Sequence, residues 1–454
     1  MHAKIAAASV LCALAISAHI ATPAAAAVQS PSPPPQVTLS LHDAVQLALA
    51  NNLTYQSAVA DERSAEAQVV QARSAFQPKV SAGYSYFHTQ NEGAFVFPAP
   101  ASGGGPPKLQ KVIVSAKDLN NVNATLQYAL YTGGAAEAAI GQAAANLAAT
   151  QSQLAGLRAT VIADTTRSYF TLIEAQQTAH VADQAVSVAS QNLKTANELF
   201  KAGTAAKVDV LRSDVTSADA QVNAIKAHNN VSLANARLAN VLNINLESII
   251  SPTESLQSQA PPFTLDSLLD SARARPELAA ANDAVIIADH AVRGARAAYL
   301  PSVDIQVEEA SSKPNFVNVP QPQLSETLAV TWQLFSGGLT RGKALQALAQ
   351  VDKAKINLKA INNSVDLEVR EAYFNYTAAQ AQVGAALEAT ESAGESLRVN
   401  QIRYKAGVGT SLELSDALLS NTQAQNQYIS ALADLRVSLV ALQRAAGLLP
   451  PTGI

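Results

Sequence analysis

The sequence predicts a mainly α-helical protein with a small β-strand part, built from two copies of one unit. Two observations lead to this prediction. Matching segments occur in the same order in both halves of the 454-residue chain. In each half, a stretch of alternating polar and apolar residues precedes a very long helical pattern. The two units are expected at 28–262 and 263–454, after a signal peptide at 1–27.

The first residues are typical of a secretory signal. Met1 and Lys4 give a basic start, an apolar run extends over 5–20, and small residues follow at 24–27. The only cysteine, Cys12, lies inside that run, so no disulfide or thiolate metal site is expected in the mature chain. The alternative is a retained helical anchor, but the run is followed by prolines rather than extended to membrane-spanning length.

Composition narrows the class of protein. The formal net charge is -4 and basic clusters are absent, so no nucleic-acid partner is expected. The chain is rich in alanine, which favours long helices in close contact. Beyond the signal, no apolar stretch is long enough for a transmembrane helix. If this protein enters a membrane, it must do so with strands.

Internal landmarks repeat at nearly constant spacing. Three of them are 204 residues apart: 126–134 matches 330–338, Tyr169-Phe170 matches Tyr373-Phe374, and 200–203 matches 404–407. An earlier landmark that ends in a proline, 72–78, matches 295–301 at a spacing of 223. The length difference therefore lies between the proline and the Gly-Gly pair. This places it in a loop, where insertions are tolerated.

Each unit begins with a helical stretch, over 41–76 and 265–299. Pro78 and Pro301 end these stretches, because a continuing helix would lose a hydrogen bond and clash. The pattern then alternates, and β-hairpins are predicted at 79–132 and 302–336. In the first hairpin, apolar residues from Val122 to Leu130 alternate with polar ones.

Long helices follow the hairpins, at 134–200 and 338–404, and shorter helices are predicted at 205–243 and 410–446. A helix of the longer kind would measure about 100 Å. Two coiled-coil seams are predicted in the first unit. The first comprises Leu172, Ala175, Ala179, Ala182, Val186, Ala189, Leu193, Ala196 and Phe200. The second comprises Val208, Leu211, Val215, Ala218, Val222 and Ile225.

Four strands cannot close a barrel, and an open sheet in lipid would leave edge hydrogen bonds unpaired. If the strands lie in a membrane, several chains must therefore combine. Three chains would give twelve strands, enough to enclose an aqueous channel. The apolar side would then face lipid and the polar side the lumen. A soluble sandwich, or a pair of exposed hairpins, remains the alternative.

The ordered series of elements resembles the TolC family of outer-membrane factors. The pieces that carry the resemblance are 39–44, 334–338 and 403–407, with sequences LSLHDA, LFSGG and RYKAG. The resemblance implies a homotrimer with a twelve-stranded transmembrane β-barrel in outer-membrane lipid and a periplasmic α-barrel. It also implies docking to an inner-membrane pump through a periplasmic adaptor protein. Substrates would pass through this exit duct without a chemical step.

The same resemblance assigns roles to two sets of glycines. The helix turns would form the adaptor-docking tip, with Gly203, Gly407, Lys201 and Lys405. A chain that reverses after a helix often needs positive φ there, which glycine permits. The strand-to-helix hinges would be Gly133, Gly134, Gly337 and Gly338.

A periplasmic gate is expected just after the second turn. The resemblance places it at Glu413 and Asp416, where three copies would form carboxylate rings. The alternative is a solvated helix face near an N-terminus, where acids are favourable anyway. A family arginine is replaced here by Gly409, so its closing link to Asp209 is lost. Tyr404 remains as a hydrogen-bonding partner.

The two turns differ in charge. At the spacing of 204, Lys207 corresponds to Ser411, Asp209 to Glu413 and Arg212 to Asp416. The second turn is therefore predicted to lack nearby basic partners. This suggests that the first hairpin is a fixed wall and the second a movable, cation-attracting gate.

An enzyme is not expected. The histidines are scattered without metal-ligand spacing or a nucleophile partner, and no cofactor or metal is predicted. The more serious alternative is a secreted or periplasmic structural coiled-coil protein, which would explain the heptads but not the strands. The sequence does not indicate whether the cargo is a drug, a metal ion or a secreted protein.

Overall fold

The computed structural model describes residues 36–91, 93–100, 107–115, 117–257, 261–313 and 323–449. The predicted signal peptide at 1–27 lies outside the described residues. The chain folds into an elongated arrangement of long helices with a small sheet at one end of them.

The elements of the first half follow the predicted order, with four short additions. They are β1 (Gln36–Leu39), α1 (Leu41–Asn51), α2 (Leu53–Arg73), a 3-10 turn (Ser74–Phe76), β2 (Lys79–His88), β3 (Gly93–Ala99), β4 (Lys108–Ser115), β5 (Asp118–Tyr131), α3 (Ala135–Lys201), α4 (Lys207–Val241) and β6 (Ile249–Pro252). The strands β1, β3, β4 and β6 have no counterpart in the sequence-based prediction.

The second half repeats these elements in a simpler form. They are α5 (Leu265–Ala272), α6 (Pro276–Ala297), β7 (Ser302–Lys313), β8 (Gln323–Thr331), α7 (Leu339–Lys405) and α8 (Ser411–Ala445). The long helices α3 and α7 both contain 67 residues, and α4 and α8 both contain 35. A 67-residue helix is about 100 Å long, which agrees with the length expected from the sequence.

The continuous helix predicted at the start of each unit is wrong, because both stretches are broken. In the first, the Asn52 side chain accepts a hydrogen bond from the Tyr55 backbone N at 2.9 Å and so begins a new helix, α2. In the second, Pro276 occupies the first turn of α6, where its missing N–H removes no helical hydrogen bond.

The strands form one principal antiparallel sheet in the order β2-β5-β7-β8. The pairing of β5 with β7 joins the two halves of the chain. The strands β3 and β4 form a separate antiparallel hairpin, which extends from the ends of β2 and β5. The strand β1, at the start of the described residues, pairs in parallel with β6. The four strands of the prediction are therefore the four of the principal sheet.

The two faces of the principal sheet differ in polarity, as the alternation predicted. One face carries apolar side chains, among them Val80, Tyr84, Val122, Leu126, Ile305, Leu328 and Val330. The other carries polar ones, among them Ser81, Ser85, Asn123, Thr125, Gln127, Gln306 and Thr327. The apolar side chains of this sheet are largely exposed in the isolated chain.

Buried side chains lie along the helices rather than in one globular centre. Tyr169 of α3 is fully buried, and its hydroxyl donates to the Leu39 carbonyl oxygen at 2.9 Å. The first predicted seam is confirmed from Leu172 to Ala196, where Ala179 and Ala189 are also buried. Phe200, at its end, is 41% exposed.

The prediction that the second seam packs against another helix of the same chain is wrong. Val215 is 60% exposed and Ile225 is 69% exposed. The face of α4 that packs against α3 instead consists mainly of small residues: Val210, Ser213, Ser217, Ala220, Ala224 and Ala227. Small side chains let the two helices approach closely, and this leaves the larger apolar stripe uncovered. We call the uncovered residues Val208, Leu211, Val215, Ala218, Val222 and Ile225 the α4 stripe.

Candidate functional site

The candidate site is the pair of helix turns at the end of the molecule remote from the sheet. Gly203 has φ of 79° and Gly407 has φ of 75°, a left-handed conformation that favours glycine. Each glycine N–H donates back into the last helical turn, to Phe200 and to Tyr404, at 3.0 Å. The side chains of Lys201 and Lys405 beside them are exposed.

The two hairpins meet at these turns through a contact between α4 and α8. The Ser411 hydroxyl donates to Asp209 Oδ1 at 2.5 Å, and Arg212 Nη1 donates to Ser411 Oγ at 3.4 Å. One turn further along, the hydroxyls of Thr216 and Ser415 are 3.3 Å apart. Asp209 therefore lies in the contact between the two hairpins. The sequence-based prediction missed its partner, Ser411.

Tyr404 packs at the end of α7 and is 4% exposed. The Tyr404 hydroxyl forms no hydrogen bond of normal geometry with a described group. Burial, followed by the negative charge of Asp209, raises the pKa of Tyr404, and this outweighs the nearby Ser213 side chain, which slightly lowers the pKa of Tyr404. The hydroxyl therefore stays protonated in this setting, and Asp209 takes its hydrogen bond from Ser411 instead.

Glu413 lies in the first turn of α8 and closes a capping box with Thr410. The Thr410 N–H donates to Glu413 Oε2 at 3.0 Å, and the Glu413 N–H donates to Thr410 Oγ1 at 3.2 Å. The prediction that the second turn lacks basic partners is wrong, because Arg403 Nη1 lies 3.7 Å from Glu413 Oε2. The Thr410 backbone hydrogen bond and the Arg403 charge lower the pKa of Glu413.

Asp416 is exposed three residues beyond Glu413, on the same side of α8. Among the described residues, it has no basic group within ion-pairing distance. It lines the end of a groove of about 520 Å³ that lies over α3 between α4 and α8. Asp219 and Lys226 of α4 line the same groove, so its walls carry both signs of charge.

Gly409 is constrained by packing rather than by a positive φ. A Cβ atom at this position would lie 3.1 Å from the Tyr404 backbone N and 3.1 Å from the Arg403 Cβ. The Gly409 N–H donates to the Arg403 carbonyl oxygen at 3.1 Å. A larger side chain here would have to displace the end of α7.

The glycine pairs lie where strand becomes helix. Gly133 and Gly134 separate β5 from α3, with φ of 66° and 90°. Gly337 and Gly338 precede α7, with φ of 61° and 90°. Glycine adopts this left-handed conformation without strain, whereas residues with a side chain rarely do.

A buried ion cluster midway along the helices was not foreseen from the sequence. Arg275 is 4% exposed and donates to Glu368 at 2.7 Å, to Glu277 at 3.1 Å and to the Ala445 carbonyl oxygen at 3.1 Å. Burial alone would raise the pKa of Glu277, but the Arg275 hydrogen bonds outweigh it and lower that pKa. This cluster ties the start of α6 to α7 and to the end of α8.

Comparison with known proteins identifies the family. The sequence profile of the outer membrane efflux protein family matches residues 44–243 and 268–448. The chain belongs to this family. The match covers both halves of the described helical region and includes all the candidate gate residues.

Relatives from the efflux protein family align with this chain along nearly its whole length. Protein CyaE of Bordetella pertussis is 28% identical over 436 residues, which cover 93% of this chain and 88% of CyaE. The outer membrane efflux protein BepC of Brucella suis is 23% identical, with 90% and 85% covered. The crystal structure of the outer membrane protein VceC of Vibrio cholerae has the same fold, with a TM-score of 0.74, 18% identity and 90% and 96% covered.

This efflux protein is therefore an outer-membrane channel that serves as an exit duct for efflux or secretion, with its helices in the periplasm. The family and the fold are those of channel proteins rather than of enzymes. No described helix combines the length and apolar character needed to cross a membrane. Within the described ranges, no group of acidic, histidine or cysteine side chains is arranged to hold a metal ion.

Proposed function

We propose that three copies of this chain form one continuous duct, which receives substrates from an inner-membrane pump through a periplasmic adaptor. The observation that carries the proposal is a pair of unpaired edges. The principal sheet ends in β2 on one side and β8 on the other, and the α4 stripe has no partner among the residues that the structure describes. Additional copies would pair both edges and cover the stripe.

The sheet has the dimensions and chemistry of a barrel wall in lipid. A ten-residue stretch such as 121–130 spans about 33 Å along the strand, or about 25 Å when tilted by roughly 40°. Exposed aromatic residues mark both ends of the apolar face. Tyr84 and Tyr86 lie at one end, and Tyr131, Trp332 and Phe335 lie at the other. Such girdles are typical of strands that cross the outer membrane, so the apolar face would contact lipid and the polar face the lumen.

The helical region supports a closed ring of chains. Ile225 of the α4 stripe is 69% exposed, whereas its counterpart Ile429 on α8 is 8% exposed. The counterpart is covered because α8 packs against α3 as well as α7. Since α4 and α8 are equivalent in the two halves, α4 is expected to be covered by α7 of the next copy.

The helix turns would form the closed periplasmic end of the duct. Glu413 and Asp416 are exposed on one side of α8, and three copies would present rings of carboxylates to the substrate path. Gly203 and Gly407, with Lys201 and Lys405, would meet the adaptor at the outermost surface of the turns. Substrates would leave by passage through an opened end, without bond making or breaking.

Reconstitution into a planar bilayer tests the proposal. The full-length protein, extracted from outer membranes in detergent, should insert as trimers and give discrete, mainly closed channels with cation preference. A structural coiled-coil protein would give no conductance and would not be extracted from the outer membrane by detergent. Either of those results would overturn the assignment of a trimeric duct.

A further inference from the structure

A cavity of about 200 Å³ lies beside the buried ion cluster, where the middle of α3 meets the start of α6 and the end of α8. Three arginines line it: Arg158 of α3, Arg275 before α6 and Arg444 of α8. Among the described residues, Glu277 contributes the single carboxylate of the lining. Such a volume has room for about six water molecules, so a carboxylate or phosphate group fits inside.

The carboxylates of the ion cluster are already paired, and one cation is left over. Glu277 accepts two hydrogen bonds from Arg275, at 3.1 and 3.2 Å. Glu368 accepts one from Arg275 at 2.7 Å and one from Arg444 at 3.4 Å. Arg158 forms no hydrogen bond or ion pair with a described residue. Three arginines beside two glutamates therefore leave an excess of one positive charge at the cavity.

We propose that this cavity is a binding site for a small oxyanion, a carboxylate or a phosphate group, which Arg158 and Arg444 hold. A guanidinium carries five N–H donors in a planar fork that matches two oxygens of such a group. Among the described contacts, Arg444 uses one donor, on Glu368, and Arg158 uses none. The side chain of Arg444 is 35% exposed, which gives ions access to the cavity from solvent.

Arg275 contributes charge to the site rather than further hydrogen bonds. It is 4% exposed, and each of its three guanidinium nitrogens already donates to a glutamate. A positive charge in a place with little water attracts an anion more strongly than the same charge at the surface, because solvent screens it less. The ligand is therefore expected to be held by the two outer arginines in the field of the buried one.

The other repeat builds the same helices without these charges. At the spacings of 204 and 223, all three arginines correspond to asparagines: Arg158 to Asn362, Arg444 to Asn240 and Arg275 to Asn52. The arginine on the long helix is thus not needed for that helix to form. Since it also pairs with no described carboxylate, a bound anion accounts for a charge that the packing of the helices does not require.

A bound oxyanion connects the two halves of the chain midway along the helices. Arg158 belongs to the first half, and Arg275 and Arg444 belong to the second. The ion stabilises this junction by the free energy of its binding, because the unfolded chain has no such site. The cavity lies within one chain, so its occupancy does not depend on the trimer proposed above.

Calorimetric titration of the full-length protein in detergent tests the site, with inorganic phosphate and acetate as the two probes. Each is added at constant ionic strength in exchange for chloride. We expect saturable binding of one ion per chain. Binding of either ion supports the site, and the tighter of the two identifies the chemical class of the natural ligand. Absence of saturable binding for both ions overturns the proposal.

Arg158→Asn removes the unpaired cation and copies the residue at the matching position of the other repeat. The fold should therefore be kept, while the affinity for the tighter-binding ion falls by about tenfold or more, since charge-assisted hydrogen bonds are lost. Arg167→Asn, exposed on the same helix and outside the cavity, is the matched control and should bind as the unaltered protein does. Equal affinity in Arg158→Asn and the unaltered protein would refute the site.

Thermal unfolding separates binding at this site from the general effect of salts. At high concentration, phosphate stabilises folded proteins because it is excluded from their surface. Low concentrations of the tighter-binding ion should raise the Tm of the unaltered protein and of Arg167→Asn, but not that of Arg158→Asn. A rise of the same size in all three proteins would show a salt effect alone and would overturn the site. Sedimentation of the same samples reports the trimer separately, so failure of the duct and failure of the anion site are distinguished.

Discussion

The helices α4 and α8 have the same length and equivalent positions but different surroundings. Each packs one face against the long helix before it, α3 or α7. The helix α8 also packs against α3, which covers Ile429, whereas α4 leaves Ile225 exposed at the edge of the chain. The difference arises from chain order: the second half packs against the first half within the molecule, whereas no described residue covers the free side of the first half. In the ring proposed above, a second copy would cover that side.

The ends of the two helices show a second difference. The Asp209 carboxylate of α4 is held by Ser411, whereas Glu413 of α8 is held by its own capping box and by Arg403. The first acid therefore contributes to a contact between hairpins, and the second remains exposed to solvent. A carboxylate that is exposed and ionised is suited to line a passage for cations.

The largest effect is expected from a charge in the α4 stripe. Ile225→Lys should abolish trimers and efflux, because a lysine buried without a partner destabilises each interface by several kcal/mol. The helix itself should form, since the site is exposed in the isolated chain. Sedimentation in detergent and conductance in a planar bilayer would report the loss.

Asn223→Lys provides the matched control for this substitution. Asn223 is exposed on α4, and its counterpart Gln427 is exposed on α8 as well. It should leave the trimer intact. Trimers in both variants would contradict the role of the α4 stripe.

The next largest effect concerns the ion cluster, which has no counterpart among the described residues of the first half. Arg275→Ala should lower the free energy of unfolding by about 3 kcal/mol, because it leaves two partly buried carboxylates short of a partner. Arg444→Ala should cost under about 1 kcal/mol, since Arg444 is 35% exposed and makes one contact with Glu368 at 3.4 Å. Denaturant unfolding followed by circular dichroism would measure both. Equal losses would show that Arg275 is not the centre of the cluster.

A smaller effect is expected at the gate. Glu413→Gln with Asp416→Asn should weaken block by multivalent cations several-fold in single-channel recordings, and glutamine can keep the capping contact. Asp214→Asn, an exposed acid on α4, is the control. Because the pKa of Glu413 is lowered, it stays ionised to below the usual value of 4.5. Block should therefore persist at mildly acidic pH and be lost as pH falls through the lowered pKa. Unchanged block in the double variant would rule out the carboxylate rings.

A small effect on stability is expected at the position of the first half that corresponds to the ion cluster, where a simple helix cap stands in its place. Asn52 occupies the position that corresponds to Arg275, and its side chain caps α2. Asn52→Ala should therefore lower the free energy of unfolding by only about 1 kcal/mol. The same denaturant titration compares it directly with Arg275→Ala. A loss as large as that of Arg275→Ala would show that the two positions differ less than their contacts indicate.

The sequence was sufficient to predict the repeat, the long helices and the two-faced strands, because all three depend on periodicity and on proline and glycine. It was not sufficient to choose between the two heptad stripes of α4. Both follow 3-4 spacing, and close packing of Ser213, Ser217 and Ala220 decides which one faces α3. Size complementarity between helices is not visible in one helix alone.

The contacts around the candidate site were missed for a similar reason. Arg403 and Glu413 lie on different helices, and the turn between them brings them to 3.7 Å. Ser411 gave no signal as a partner of Asp209, because it lies 202 residues away in sequence. The parallel pairing of β1 with β6 likewise joins short segments that show no alternation of their own.

A photo-cross-linking amino acid at position 225 would test the central claim most directly. The account predicts that irradiation of outer membranes gives covalent dimers and trimers, with the adducts mapped by mass spectrometry to α7 of a second copy. The same reagent at position 223 should give no adducts to α7. Adducts from position 225 to helices of the same chain, or to other proteins in place of α7, would contradict the closed ring.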